Sequence, residues 1–456
     1  MKLFGPLVSF LLFFVSVRCH SASYQKIAEH TLFNGDKLTE FRLENGLQVL
    51  HVPRHQAKVL TYQVWFRVGS LDEKLDAKLK KTGLAHLFEH MMFRGTPKYP
   101  DGVFDKLVSR MGGTQQNAST YYYRTNYYES VPSDQLETLM TLESDRMQNL
   151  QITTTLFEKE KGAVVGELRR HLDSPLSVGM DQLLETAFRV APYRFTVIGN
   201  EKEINGFTIE EANYFYKTYY APNNATLIVV GDVDAGRLMS LTSKYYGSMK
   251  SQEVPKYKIP AEPPQKKERK IFTRHKQATS DSLLVGYRIP PVDSPDFTSL
   301  ALLATHLSTG MEGRLRKLLV DPGIAVSANG APSSKPDLFE FVVSLSEKHR
   351  AENALSIIDR EIANLQKKAI SDQDFQRALS QEKLDMYGSI GSNSSLANML
   401  GEYLVLSGDY LLGFKMLAAF EKLTPADLQN AAKQHLNKKQ RTVVVIRPEK
   451  RGGKKS

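Results

Sequence analysis

An internal repeat constrains the fold of this chain more than any other feature of its sequence. The segment from Thr208 to Asp234, TIEEANYFYKTYYAPNNATLIVVGDVD, aligns without a gap with Thr424 to Lys450, TPADLQNAAKQHLNKKQRTVVVIRPEK, at a constant offset of 216 residues. In both copies a Thr stands at a helix N-cap position, acidic residues follow in the first turn, and an apolar strand comes next, Leu227 to Val230 or Val443 to Ile446. A chain that repeats a helix and a buried strand at that distance builds one architecture twice. Between the copies, Met249 to Arg274 holds Pro255, Pro260, Pro263 and Pro264 among many charges and reads as the linker. The organisation expected is a leader over residues 1–23, a first domain over 24–248, the linker over 249–274 and a homologous second domain over 275–456 with a basic tail.

Each half mixes strand and helix patterns. Gly46 to Val52 and Thr61 to Val68 read as strands, and the tyrosine-dense stretch Tyr121 to Tyr128 suits a strand near a surface or groove. Asp101 to Met111 reads as a helix with Phe104, Leu107, Val108 and Met111 on one face. Ser133 to Leu150 reads as another, with Leu136, Leu139, Met140 and Met147 at helical spacing. The fold class is therefore α+β, with helices packed on one face of each sheet. With 41% apolar and 24% charged residues, both halves can hold their own core.

The first residues depart from that composition. Lys2 precedes an apolar run from Leu3 to Val17, broken only by Gly5, Pro6 and Ser9, and the small residues Ser21, Ala22 and Ser23 follow. Basic start, apolar run and small-residue exit describe a cleaved secretory signal, so an exported, periplasmic or secreted protein is expected. The run is shorter than the roughly 20 residues of a spanning helix. It is too continuously apolar for a transit peptide, and Arg18 before Cys19 suits lipid attachment badly. Cys19 is the only cysteine, so the mature chain has no thiol for disulfides, nucleophilic catalysis or metal binding. The C-terminal cluster Lys438, Lys439, Lys450, Arg451, Lys454 and Lys455 lacks interleaved aromatics and reads as a solvated tail, not a nucleic-acid site.

Residues 84 to 93, LAHLFEHMMF, have helical composition without Gly or Pro. On a helix His86 and His90 project from one face and can share a metal, while Glu89 lies beside them, where its carboxylate can take a proton from a metal-held water. A hydrolytic zinc site keeps three protein ligands and one open position, so a third donor is required. Phe157 to Arg170, FEKEKGAVVGELRR, reads as a helix with Glu160, Val164 and Glu167 along one face. Spacing alone does not choose between Glu160 and Glu167.

Asn45 to Pro100, including ENGLQV, VGSLDE and TGLAHLFEHMMFRGT, resembles the pitrilysin and insulinase family of inverted-motif zinc peptidases, which includes the mitochondrial processing peptidases. The resemblance implies two homologous domains, each a mostly antiparallel sheet with helices on one face, forming half of a clam-like chamber. It implies a third metal ligand some seventy-seven residues after the second histidine, which is Glu167, and a supporting glutamate seven residues earlier, which is Glu160. It implies zinc, although a set of two His and one carboxylate also suits manganese or cobalt. The segment MGGTQQNAST looks like the family's GGxxNAxT, which implies that Asn117, Ala118 and Thr120 lie on the edge strand that pairs with an extended peptide substrate.

One stretch departs from the family pattern. Members that work alone, or their complementary subunits, carry an Arg and a Tyr in the second domain within a stretch resembling LRxxxGLAY. After Gly313-Arg314-Leu315 the matching stretch here runs from Leu319 to Val326, with valines in place of both and one residue fewer. Arg314 matches a structural position. The chain is therefore expected to be the zinc-bearing half of a heterodimer whose homologous partner supplies those groups. The alternative is a non-catalytic scaffold or assembly subunit, which an intact His86, Glu89, His90 and Glu167 argues against.

Overall fold

The computed structural model describes residues 23–449. All but the last residue of the expected leader, and the tail from residue 450, lie outside the described residues. The first half runs through strands β1 (Tyr24–Thr31), β2 (Lys37–Leu43), β3 (Gln48–Pro53) and β4 (Val59–Phe66), then helices α1 (Ser70–Leu75), α2 (Leu84–Met91) and α3 (Val103–Arg110). The hairpin β5 (Thr114–Thr120) and β6 (Thr125–Pro132) follows, then α4 (Leu136–Asn149), α5 (Thr154–Leu172), α6 (Pro175–Ala187), α7 (Glu201–Asn205), α8 (Ile209–Tyr219), β7 (Ala225–Gly231) and α9 (Ala235–Tyr246). The second half comprises β8 (Arg269–His275), β9 (Ser282–Arg288), α10 (Pro295–Ser308), β10 (Ala325–Ser333), β11 (Leu338–Leu345), α11 (Ala351–Lys367), α12 (Asp372–Gly391), α13 (Asn393–Ser407), α14 (Leu412–Phe420), α15 (Pro425–His435) and β12 (Arg441–Pro448).

The repeat appears as α8 with β7 and α15 with β12. Both helices start with a capping box, Thr208 with Glu211 and Thr424 with Asp427, and at each start the acidic side chain accepts the amide of the Thr. The seven-stranded sheet has the order β1-β2-β3-β7-β4-β6-β5 and the five-stranded sheet the order β10-β11-β9-β12-β8. Read from the opposite end, the second sheet repeats the last five strands of the first. In each, one pair is parallel, β3 with β7 and β12 with β8, and every other pair is antiparallel. Two sheet-plus-helix domains of one plan result. The main core of the first lies between its sheet and helices α2, α4, α5, α8 and α9; that of the second lies under α10, α11 and α15.

The opposite face of each sheet is covered by a helix from the other half. Leu396, Ala397 and Leu400 of α13 pack on Leu50, Val52, Trp65, Ile228 and Val230 of the first sheet. Gly401 lies so close to the Trp65 ring that a Cβ there would stand 2.2 Å from it. In exchange α6 sets Leu183 against Leu284, Val444 and Ile446 of the second sheet. Burial on both faces explains why β7 has no exposed residue and why its sequence is a continuous apolar run.

Two local expectations shift. Irregular backbone ends at residue 268 because 269–274 join β8, which lies along β12, so the connecting segment is shorter than 249–274. Tyr121 to Tyr123 form the turn of the β5–β6 hairpin, closed by the Tyr121 amide donating to the Arg124 carbonyl at 2.9 Å. The strand itself begins at Thr125. Tyr122 is buried against Tyr193, and its hydroxyl donates to the Phe195 carbonyl at 3.0 Å. That contact between elements outweighs the local strand propensity. Among the described residues no single helix is long and apolar enough to cross a membrane.

Candidate metal centre

Helix α2 is eight residues long, and Leu84, Ala85, Leu87, Phe88 and Met91 bury one face of it in the first core. Its start is wedged in place. Gly83 has φ +100°, and a Cβ there would lie 2.5 Å from the Ile198 carbonyl; Gly199 has φ +84° and would meet the Thr82 carbonyl at 2.3 Å. Only glycine allows both left-handed backbones to approach so closely. The Thr82 amide also donates to Glu203 at 2.7 Å. His86, Glu89 and His90 thus emerge together on the half-exposed face of a held helix.

Helix α5, N-capped by Thr153, packs beside α2 and brings two carboxylates to that face. Glu167 Oε2 lies 3.7 Å from His86 Nε2 and 3.5 Å from His90 Nε2. One donor atom from each of the three residues lies within 4.8 Å of the others. Ligands at about 2.0–2.2 Å in a tetrahedral array sit roughly 3.4 Å apart, so this triangle fits one small cation with little adjustment. Of the two candidates for third donor, it is Glu167 that completes the triangle. Glu160 is buried instead, ion-paired with Arg94 Nε at 2.9 Å, and its Oε2 stands 3.5 Å from the other nitrogen of His90, Nδ1.

The electrostatics follow from these neighbours. Burial lowers the His86 imidazole to about 4, only partly offset by Glu167, so at neutral pH the ring is uncharged, with a proton on one nitrogen and a lone pair on the other. Burial acts the same way on His90, but the surrounding Glu160, Glu167 and Glu89 outweigh it and raise that imidazole to about 9. Contact with His90 holds the Glu167 carboxyl below its ordinary value. Burial raises the Glu89 carboxyl, while a hydrogen bond from Thr120 Oγ1 at 2.5 Å restrains the rise.

Thr120 belongs to β5, the last strand of the first sheet, whose outer edge pairs with no other strand among the described residues. The Asn117 side chain accepts the Ala118 amide at 2.9 Å. Asn117, Ala118 and Thr120 therefore all lie on the edge strand, and Thr120 is the one that touches the cluster. Beside this strand, between the two halves, lies a cavity of about 950 Å³ whose walls include Ser119, Arg124, Glu382 and Glu402.

Three features were not foreseen from sequence. Arg94 lies four residues beyond His90 and pairs with Glu160, a spacing that could have signalled it. His171, four residues beyond Glu167, is held by Asp181 at 2.7 Å, which raises its pKa. Arg124 donates to the Ser119 carbonyl at 3.0 Å and to Asn126 at 2.9 Å, bracing the hairpin through contacts no motif reveals. In the second half, Arg314 is engaged by Glu361 at 2.7 Å, and Val326 is 72% exposed at the start of β10.

The chain, with one sheet plan built twice and a two-histidine, one-glutamate cluster in its first half, belongs to the insulinase family, peptidase family M16. Residues 48–201 match the model "Insulinase (Peptidase family M16)", and residues 206–382 match "Peptidase M16 inactive domain". The chain is 28% identical over 413 residues to the zinc protease PqqE of Helicobacter pylori, covering 89% of this chain and 92% of that one. It is 23% identical over 422 residues to a probable mitochondrial-processing peptidase subunit beta of Arabidopsis thaliana, covering 89% and 77%. A crystal structure of a protease from Helicobacter pylori superposes with a TM-score of 0.86 at 28% identity over 91% of this chain and all of that one. Pitrilysin shares the fold with a TM-score of 0.74 at 22% identity, with 94% of this chain matching 47% of that one.

Proposed function

We propose that this chain is a zinc-dependent endopeptidase that cleaves extended or unfolded peptides, with His86, His90 and Glu167 as metal ligands and Glu89 as general base. The observation that carries the reading is the convergence of three donor atoms within 4.8 Å next to a half-buried carboxylate that is hydrogen-bonded to an open sheet edge. The donor set itself fits the metal: Nε2 of His86 and Nε2 of His90 already crowd the same Glu167 oxygen, at 3.7 and 3.5 Å. When bound, zinc polarises the scissile carbonyl and acidifies a neighbouring water towards a pKa of about 7.

The protein's own groups do the rest. Glu160 faces Nδ1 of His90 and turns Nε2 towards Glu167, the arrangement by which an outer carboxylate orients a ligating imidazole. Glu89 accepts the proton of the attacking water and passes it to the leaving amine. Its burial makes it a stronger base than an exposed carboxylate, and Thr120 fixes the oxygen that is not needed. An extended peptide adds to the free edge of β5 through backbone hydrogen bonds, which tolerate many sequences. Thr120 couples that edge to Glu89, so a bound strand lies next to the base.

The second half offers no Arg or Tyr between Leu319 and Val326, and a homologous partner subunit supplying them would close the chamber. Two facts support a partner: relatives include mitochondrial-processing peptidase beta subunits, and this chain matches 47% of pitrilysin. Export to the periplasm or beyond agrees with the N-terminal sequence and with the periplasmic protease PqqL of Escherichia coli among the structural neighbours. The test is peptide cleavage by the purified chain, alone and with a candidate homologous partner, alongside metal analysis and a Glu89→Gln variant. Bound zinc with Glu89-dependent cleavage supports the proposal. A chain without metal, inactive with every partner and unchanged by the variant, is the scaffold instead. Strong activity alone removes the partner from the proposal.

A further inference from the structure

Helix α2 has only two turns and cannot cap itself, because its N-cap is Gly83, which the approach of Ile198 forbids from carrying a side chain. Short helices are marginal in isolation, and their first amides need partners from elsewhere. A single buried residue supplies them. Glu73 is fully buried, and its Oε1 accepts the Ala85 amide at 2.6 Å. The amides of Gly83 and Leu84 are directed at the same carboxyl. Its other oxygen, Oε2, is buried without a partner.

Glu73 is itself anchored to the substrate side of the site. It lies in α1, whose first amides, those of Ser70 and Leu71, donate to the Tyr121 and Tyr122 carbonyls at 3.2 and 2.9 Å in the turn of the β5–β6 hairpin. Gly69, just before α1, is pressed against the same turn, where a Cβ would lie 2.2 Å from the Tyr121 carbonyl. The Glu73 carbonyl accepts the Lys80 amide at 2.8 Å, folding the approach to α2 back on α1. One side chain thus ties the start of the histidine helix to the hairpin that carries Thr120 and, through it, Glu89.

We infer that Glu73 is a positioning residue for the metal centre, a remote cap that holds α2 in register with β5 so that His86 and His90 meet Glu167. Its consequence for zinc rests on the metallopeptidase reading; its hold on α2 does not. Burial pushes the Glu73 carboxyl up to about 8, so at neutral pH the group is a neutral acceptor that a glutamine reproduces.

The experiment compares Glu73→Gln and Glu73→Ala in the full chain by two readouts. These are zinc affinity in competition with a chelator and hydrogen exchange of residues 83–92 in metal-free protein. Glu73→Ala is expected to weaken zinc by about 10-fold or more and to speed exchange in α2 by a similar factor, as loss of an outer support does. Glu73→Gln should stay within about threefold of the parent in both, because the accepting oxygen is kept. The inference is overturned if Glu73→Ala matches the parent, if Glu73→Gln is as damaged as Glu73→Ala, or if Glu73→Ala fails to fold while Glu73→Gln is normal. The last result would make the residue a support of the whole domain. A parent chain that takes up no zinc would sink the metallopeptidase reading alone, and the exchange data would still decide the role of Glu73.

Discussion

In the first half, α2 and α5 meet over two imidazoles and a carboxylate. In the second half, α10 follows β9 as the helices α1 and α2 follow β4, and α12 is the second helix after β11 as α5 is after β6. There the facing residues are Thr305 and Glu382, joined by a hydrogen bond, with a buried His306 whose Nδ1 has no partner. Among the described residues the only triad able to hold a metal is His86, His90 and Glu167. The shared strand order, capping boxes and exchanged helices do not depend on those side chains. The framework and the chemistry are separable, and one half keeps the first without the second.

The largest effects should separate the halves completely. His90→Ala removes one of three donors, and zinc content is expected to fall from about one per chain to near none, with cleavage at background. Glu382→Ala, at the corresponding helix contact of the second half, should leave metal content unchanged; elemental analysis of both variants makes the comparison. Next comes Glu89→Gln, which keeps the donors and removes the base. Retained zinc with about 10²- to 10⁴-fold slower turnover is expected, and near-parent turnover would sink the assignment.

Glu160→Gln sharpens the distinction between a ligand and a support. The amide can still face His90 Nδ1 but loses its charge towards Arg94, so zinc affinity should drop about 10- to 100-fold, read by chelator competition. Stoichiometry at saturating zinc should remain that of the parent. A loss of stoichiometry like that of His90→Ala would place Glu160 among the ligands.

The difference between the halves was partly legible in the sequence. HLFEH marked one half, the count from His90 under the family resemblance led to Glu167, and the repeat disclosed the common plan. Apolar periodicity tells which face of a helix is buried but not against which sheet, so the exchange of α6 and α13 was invisible. Tyr121 to Tyr123 look like strand because tyrosine favours strands, yet burial of Tyr122 against Tyr193 bends them into a turn. Glu73 reads as one more charge in VGSLDE. Its role exists only once the chain has folded α1 back on the start of α2.

The exchanged helices permit a comparison of stability. Gly401→Ala places a Cβ against the rigid Trp65 ring, whereas Gly179→Ala meets the Leu284 side chain at 2.7 Å, which can rotate away. Overpacking should cost about 1–3 kcal/mol at Gly401 and less at Gly179. Urea unfolding followed by Trp65 fluorescence measures both. Equal losses would mean that the two crossings are equally tight.

A last comparison concerns how the two halves begin a helix of the core. Helix α10 is capped by its own Ser294, while α2 depends on the buried Glu73. The folded carboxyl titrates at about 8 and the unfolded one near 4.5, so between those values the folded chain holds a proton that the unfolded chain has released. This contribution to stability is fully present below about 4.5 and is lost as pH rises through 8. Glu73→Gln cannot titrate, so its stability relative to the parent should rise by roughly 4 kcal/mol between pH 5 and pH 8.5, measured by urea unfolding with chelator present. Ser294→Ala should lower stability by a nearly constant amount across that range, because the hydroxyl does not titrate. A pH-independent difference for Glu73→Gln would mean that the carboxyl is ionised in the folded chain throughout, and the neutral cap would have to be replaced by a charged one.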